Sequence, residues 1–185
     1  MNGALVRLRA CALLLAALAA PAMAPAKPPV DLARVEVAFT PGDDVAGLIA
    51  RRITLGRESV QVQAYLFTDR TIARALLAAL RRGVAVEVIG DAAQHESGGL
   101  PWLEPLQRAG ARVYLESGHA ASHNKIVIVD ARTDRAAVIT GSYNFTQAAQ
   151  SKNAENVVVL SGNRRITDRF ADNFEYHRSQ STPWP

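Results

Sequence analysis

The sequence predicts an α/β sandwich on a mixed β-sheet, with one domain per chain. Two observations carry this. Strand-like and helix-like segments alternate up to about residue 115, and strand-like segments then follow one another. No internal repeat interrupts the pattern, and the only biased tract is a Pro/Ala stretch around Pro25 to Pro29.

Taken in order, "VEVAF" (Val35 to Phe39) alternates and ends at the turn signal Pro41-Gly42. From Asp44 to Leu55, Val45, Leu48, Ile49 and Ile53 recur at helical spacing. "SVQVQAYLF" is a period-two strand with Val60, Val62 and Ala64 on one face. Thr68 or Asp69 caps the helix "RTIARALLAALRR", and Gly83 ends it. "VAVEVIG" is the next strand, followed by a loop from Asp91 to Gly99, a short helix over Trp102 to Arg108 and the strand "ARVYL". "NKIVIVD", "AAVIT" and "NVVVL" are the consecutive strands, and an amphipathic helix from Arg164 to Tyr176 closes the domain.

The N-terminus reads as an export signal over residues 1–26. Arg7 and Arg9 precede the apolar run Ala10 to Ala20, and Ala24-Pro25-Ala26 fits an A-x-A cleavage pattern. The run is shorter than the roughly 20 residues that span a bilayer, so no stable membrane insertion is expected after processing. A linker over 27–34 and a domain over 35–180 follow. The expected location is periplasmic or secreted. Cys11 lies inside the signal, which excludes disulfides and thiol metal sites from the processed chain. Losing Arg7 and Arg9 lowers the formal charge from +4 to +2, which permits a polyanionic substrate without demanding one.

The chemistry concentrates in "SHNKIVIVD", Ser122 to Asp130. In a strand, His123, Lys125, Val127 and Val129 face one side, while Asn124, Ile126, Ile128 and Asp130 face the other. Asp130 lies about 17 Å beyond Lys125 at strand rise, too far to partner His123. The polar stretch "DARTDR" makes the flanking strands a hairpin. With Val129 facing Ala136, Lys125 pairs with Thr140 and His123 with Ser142, and a one-residue slip moves the latter only to Gly141 or Tyr143. "GSYNF" (Gly141 to Phe145) therefore lands beside the histidine and the lysine. Gly141 permits close backbone approach, and Ser142 and Asn144 bring a hydroxyl and an amide. Imidazole, ammonium, hydroxyl and amide at one point suit nucleophilic attack on an anion. A histidine nucleophile also needs its second ring nitrogen held. Glu155, at the head of "NVVVL", is the candidate carboxylate, with an ordinary surface glutamate as the alternative.

His123-x-Lys125-x4-Asp130, then Gly141-Ser142-x-Asn144, then the Glu155 strand, resembles the phospholipase D superfamily. "VQAYLFTDRTIARALLAALRRGVAVEVIGD" also resembles the segment preceding the motif in its small members. The resemblance implies a phospholipase D-like α/β/α sandwich and a phosphodiesterase working through a covalent phosphohistidine. It makes His123 the nucleophile or the acid, with Lys125 and Asn144 on the phosphoryl oxygens. Ser142 would line the pocket, Glu155 would orient His123, and Asp130 would support the motif at the turn. Gly141 and Tyr143 would contact substrate.

Large members carry two motifs and this chain carries one. The resemblance to single-motif bacterial endonucleases therefore implies a homodimer whose two His123 residues share a site. His119 or His95 is the intrachain alternative for the acid, and His177 is unassigned. Neither H-E-x-x-H, nor a cysteine pair, nor an EF-hand cluster, nor a phosphate-binding G-x-x-x-x-G-K-[ST] loop is present, so no metal or cofactor is expected. The expected substrate is nucleic acid, DNA first with RNA as a further candidate, and phospholipid headgroups are the alternative. Arg51, Arg52, Arg57, Arg81, Arg82, Arg164 and Arg165 are candidate phosphate contacts along the groove. Tyr143, Phe145 and Trp102 are the aromatics considered for base stacking, with a core position preferred for Phe145.

Overall fold

The strands richest in Val and Ile bury both faces and occupy the middle of the sheet, as the hydrophobic effect requires. A computed structural model describes residues 33–184. The expected signal peptide, and the linker up to residue 32, lie outside the described residues.

The chain runs β1 (Arg34–Thr40), α1 (Val45–Leu55), β2 (Ser59–Ala64), α2 (Arg70–Arg81), β3 (Ala85–Asp91), α3 (Ala92–Glu96), α4 (Leu103–Arg108) and β4 (Arg112–Glu116). It continues through β5 (Lys125–Val129), β6 (Ala137–Gly141), α5 (Gln147–Ser151), β7 (Glu155–Ser161), α6 (Arg164–Ser179) and β8 (Thr182–Pro183). The eight strands form one sheet in the order β1-β7-β6-β5-β2-β3-β4-β8. The pairs β2–β3 and β3–β4 are parallel, joined through helices, and the remaining pairs are antiparallel. The sheet is mixed and sandwiched between helices, as the segment pattern predicts.

One face packs against α1 and α2. Val60, Val62, Val88, Val127, Val129, Ile139 and Val159 meet Ile49, Ile53, Ile72 and Leu76 there. Each such side chain, fully buried, contributes roughly 1.5–3 kcal/mol relative to exposure. The alternation then sends Ile89, Ile126, Ile128 and Val138 to the other face, where Phe174 and Phe170 of α6 cover them. Asp69 caps α2 by accepting from the amides of Thr71 and Ile72 at 2.8 and 2.9 Å.

The α6 layer does not reach the β1 edge. Val35, Val37 and Phe39 are 60, 54 and 55% exposed on that side, beside half-buried Val158 and Leu160 of β7.

The β5–β6 hairpin differs by one residue from the sequence expectation. Val129 faces Ala137, not Ala136, and Ile126 faces Thr140. The turn is one residue longer because Asp130 and Arg132 adopt left-handed backbone conformations (φ 49° and 69°), and the Ala136 amide closes on Thr133 O at 3.1 Å. The shift brings Lys125 level with Gly141 and leaves "GSYNF" beside the motif.

Candidate active site

The C-terminal ends of β2, β3, β4 and β6 and the N-terminal ends of β5 and β7 lie along one rim of the sheet. Crevices at the carboxyl ends of parallel strands are where open α/β sheets place ligands.

His123 precedes β5 and is fixed by its neighbours in sequence. The amide of Ser122 donates to Asp91 Oδ2 at 2.7 Å, its hydroxyl donates to Glu116 Oε2 at 2.5 Å, and Asn124 O accepts from the Tyr65 amide at 3.1 Å. With the backbone pinned on both sides, the imidazole projects to solvent. Its ring meets the edge of Tyr65 at 4.3 Å between centroids.

Lys125 is 7% exposed and begins β5 on the same face as Val127 and Val129. Its Nζ donates to His123 O at 2.7 Å and sits 5.0 Å from the Tyr65 ring centroid. Burial pushes the ammonium below the ordinary lysine range, and the Glu155 carboxylate partly restores it. The result is a desolvated cation held at the rim, where an anion would find it poorly screened.

"GSYNF" leaves β6 at this rim. A Cβ on Gly141 would stand 2.1 Å from Asn156 O, so only glycine allows β6 and β7 to approach this closely. Ser142 Oγ donates to Glu155 Oε2 at 2.5 Å and accepts from the Asn156 amide at 3.1 Å. Glu155 Oε1 accepts from Asn153 Nδ2 at 3.0 Å. Among the described residues, no hydrogen bond joins Glu155 to the His123 ring. Asn144 has its side-chain Oδ1 buried without a partner, a costly arrangement unless a ligand or second chain supplies a donor.

Two expectations are corrected. Tyr143 does not face substrate: it is 1% exposed in the core, its hydroxyl donates to Gln150 Oε1 at 3.3 Å, and burial pushes the phenol well above its usual range. Phe145 lies in the core as preferred, edge-on to Phe67, and Tyr65 is the aromatic beside His123.

The arginines are also misplaced by the sequence reading. Arg57, Arg81, Arg82, Arg164 and Arg165 sit at the opposite rim, where β2 and β3 begin and β7 ends, and Arg51 and Arg52 lie in the second half of α1 leading there. Arg51, Arg52 and Arg164 are paired with Asp44, Glu36 and Asp168, and Arg82 donates to Ile53 O and Gly56 O. Arg70, which opens α2 at the site rim, and Arg169, which shares a cleft with Asn124 and Ile126, are better placed for phosphates.

Asp130, at the far end of β5, accepts from the amides of Arg57, Glu58 and Ser59 at 2.9, 2.7 and 3.3 Å and pairs with Arg135. These bonds hold its carboxyl below the ordinary range against the opposing effect of burial. Its work is to fasten the α1–β2 loop to the β5–β6 turn. His95 rests edge-on to Trp184 at 4.7 Å, and His119 and His177 both direct Nδ1 at Glu116 Oε1. All three imidazoles are thus engaged away from His123.

Sequence reasoning missed Tyr65, Asp91 and Glu116. Tyr65 was legible, because it follows β2 where that strand's end pairs with Lys125. Glu116 was not, since its partner His177 is 61 residues away.

Residues 49–178 match the family described as cardiolipin synthase, PLD-like domain. A phospholipase D of Rickettsia bellii is 36% identical over 141 residues, covering 76% of this chain and 67% of the relative. The mitochondrial cardiolipin hydrolase of Canis lupus familiaris is 29% identical over 160 residues, covering 86% of this chain but only 59% of the hydrolase. Among solved structures, Nuc from Salmonella typhimurium, a phospholipase D family member, superposes with a TM-score of 0.74 at 28% identity. That match covers 83% of this chain and 99% of Nuc.

Proposed function

Because this chain belongs to the family of phospholipase D-like domains and is a phosphodiester hydrolase of that superfamily, we propose that it is a metal-independent endonuclease of low sequence specificity, cleaving DNA at a site shared by two copies. The observation that carries this reading is the exposed His123 imidazole, whose main-chain carbonyl accepts from the buried Lys125 ammonium, with Ser142 and Asn144 just past the end of β6 and Glu155 at the start of β7.

In this reading a His123 ring nitrogen attacks phosphorus, a phosphorus–nitrogen bond forms and the phosphorus–oxygen bond to the leaving group breaks. The second copy's His123 gives its proton to the leaving oxygen. It then takes a proton from the water that cleaves the phosphohistidine, returning both rings to their starting states. Lys125 and Asn144 meet the equatorial oxygens as charge shifts onto them. Glu155, together with Ser142, orients the imidazole once the two copies have closed the site.

The need for a second copy is supported by two features. His95, His119 and His177 are engaged elsewhere, so one chain presents one imidazole to the pocket. The exposed Val35, Val37 and Phe39, with Val158 and Leu160, form an apolar face on the sheet side that carries the Asn124–Ile126–Thr140 cleft. Apolar surface of this kind marks association. The export signal over residues 1–26 supports a periplasmic or secreted location.

Nucleic acid is favoured over lipid because the site lies open on a sheet rim. The alternative, hydrolysis of phospholipid headgroups, is favoured by the Rickettsia relative named phospholipase D. One experiment separates them. Wild type and His123→Ala are incubated in chelator with plasmid DNA and, separately, with phosphatidylcholine vesicles. Nicking and linearisation by wild type alone, without choline release, supports the nuclease; choline release with intact plasmid overturns it.

A further inference from the structure

Glu116 ends β4 with its side chain fully buried, and two imidazoles converge on a single carboxylate oxygen. His119 Nδ1 stands 3.0 Å from Oε1 and His177 Nδ1 stands 2.6 Å from it, while Ser122 Oγ holds Oε2 at 2.5 Å. The geometry points to a binding site for one divalent transition-metal ion, Zn²⁺ by its donor set, formed by Glu116, His119 and His177 and separate from the phosphoryl pocket.

The donor chemistry is the first support. Two imidazole nitrogens and one carboxylate oxygen suit Zn²⁺, with Cu²⁺ and Ni²⁺ as competitors, and exclude the all-oxygen preference of Ca²⁺ and Mg²⁺. Spacing is the second. Bonds of about 2.0–2.2 Å place neighbouring ligands of a tetrahedral ion roughly 3.4 Å apart. The three ligand atoms here all lie within 4.8 Å of one another. Admitting an ion therefore asks for ångström-scale ring movements, not a rearranged backbone.

The burial gradient is the third support. Glu116 is fully buried and His177 is 15% exposed, so both are positioned by packing, whereas the His119 side chain is 49% exposed and free to adjust. The open side leaves a fourth position for water. Ser122 Oγ occupies Oε2 and leaves Oε1 to face the two rings. Ser122 then serves as the outer partner that aims the ligating carboxylate. On binding the ion, each Nδ1 would give up the proton it donates to Glu116, and each ring would keep its proton on Nε2.

The ligands come from three parts of the chain: the end of β4, the 117–124 segment and the last turn of α6. An ion would tie them together, and the tied segment runs directly into His123. The role is to position that segment; no ligand of this site reaches the reacting phosphate. Without an ion, the same three side chains would be only a hydrogen-bonded hub.

The two cases differ in binding, so the test does not read cleavage. Full-length protein is stripped with chelator, dialysed, and titrated with ZnCl₂ by calorimetry, with melting followed in parallel. The expected result is one ion per chain and a melting temperature that rises with free zinc by mass action. Co²⁺ should give visible bands of tetrahedral intensity. His119→Ala, on an exposed side chain, and His177→Gln, which keeps a donor to Glu116, should each weaken zinc by at least about tenfold. His95→Ala should bind as wild type does. Zinc affinity unchanged in His119→Ala, or a melting temperature indifferent to zinc, overturns the site and leaves the hub.

Discussion

The ammonium of Lys125 donates to the main-chain carbonyl of His123 at 2.7 Å, so the cation and the backbone that carries the imidazole are one rigid unit. Removing the ammonium loosens both. Lys125→Ala should lower kcat/KM by about 10²–10³-fold, the range for losing one preorganised donor to a developing oxyanion. Because burial lowers the lysine pKa, the alkaline limb of the rate profile should begin below the ordinary lysine value of 10.5. Lys125→Arg, which stays protonated throughout, should be slower but should lose that limb. An alkaline limb that survives in Lys125→Arg would assign it to another group.

His123→Ala should abolish cleavage while leaving the melting temperature within a degree or two, since the ring is exposed and packs only against the edge of Tyr65. Wild type quenched during turnover should show a phosphoryl adduct by intact mass, absent from the variant. Chelator should leave most of the turnover in place, because no step uses a metal. Activity lost to chelator and restored by a divalent ion in a His119→Ala background, where the Glu116 site is disabled, would sink the metal-free mechanism.

Asp130→Ala should act on stability and not on chemistry. Three backbone amides lose their acceptor, which costs about 3 kcal/mol and lowers the melting temperature by roughly 6–12 °C for a domain of this size. The carboxyl's folded pKa lies below its ordinary 3.8. Its contribution is therefore complete above pH 3.8 and is lost as pH falls through the lower, folded value. Wild type should lose this advantage over the variant on acidification, and thermal melts between neutral and strongly acidic pH measure it.

Val37→Asp combined with Phe39→Asp places two charges on the exposed apolar face of β1 without touching the core. Sedimentation should change from a dimer to a monomer, and cleavage should disappear with it. Mixing this variant with His123→Ala should restore nothing, since neither parent supplies both a pairing face and an imidazole. A fully active monomer would return the acid role to a histidine of the same chain.

The fold was legible because its signals are local. After Lys125, β5 is an uninterrupted Val/Ile run, β6 is the β-prone stretch Ala137 to Thr140, and α2 announces itself with Asp69 and an apolar stripe. The hairpin register slipped because Asp130 and Arg132 take positive φ, a conformation that a polar turn permits without specifying. Tyr143 was misread because neighbours of a site residue in sequence lose strand alternation once the strand ends at Gly141. The arginines were misassigned for a reason the sequence did contain. A helix that follows a parallel strand runs back along it, so residues at its C-terminus finish at the rim away from the ligand. Glu116 and His177 meet only because α6 returns across the sheet, and nothing local marks that meeting.

The five residues of β5 also act as a ruler. Lys125 marks one rim and Asp130, just past Val129, fastens the other, so the fixed count between them encodes a span instead of a contact. Deleting one residue from "KIVIV" would shorten that span by about 3.3 Å and turn the residues on one side of the deletion over to the opposite face of the sheet. With Asp130 kept in place, the ammonium would exchange the α1–α2 side for the α6 side. A length change there should therefore be fatal, while apolar exchanges at the same positions are tolerated.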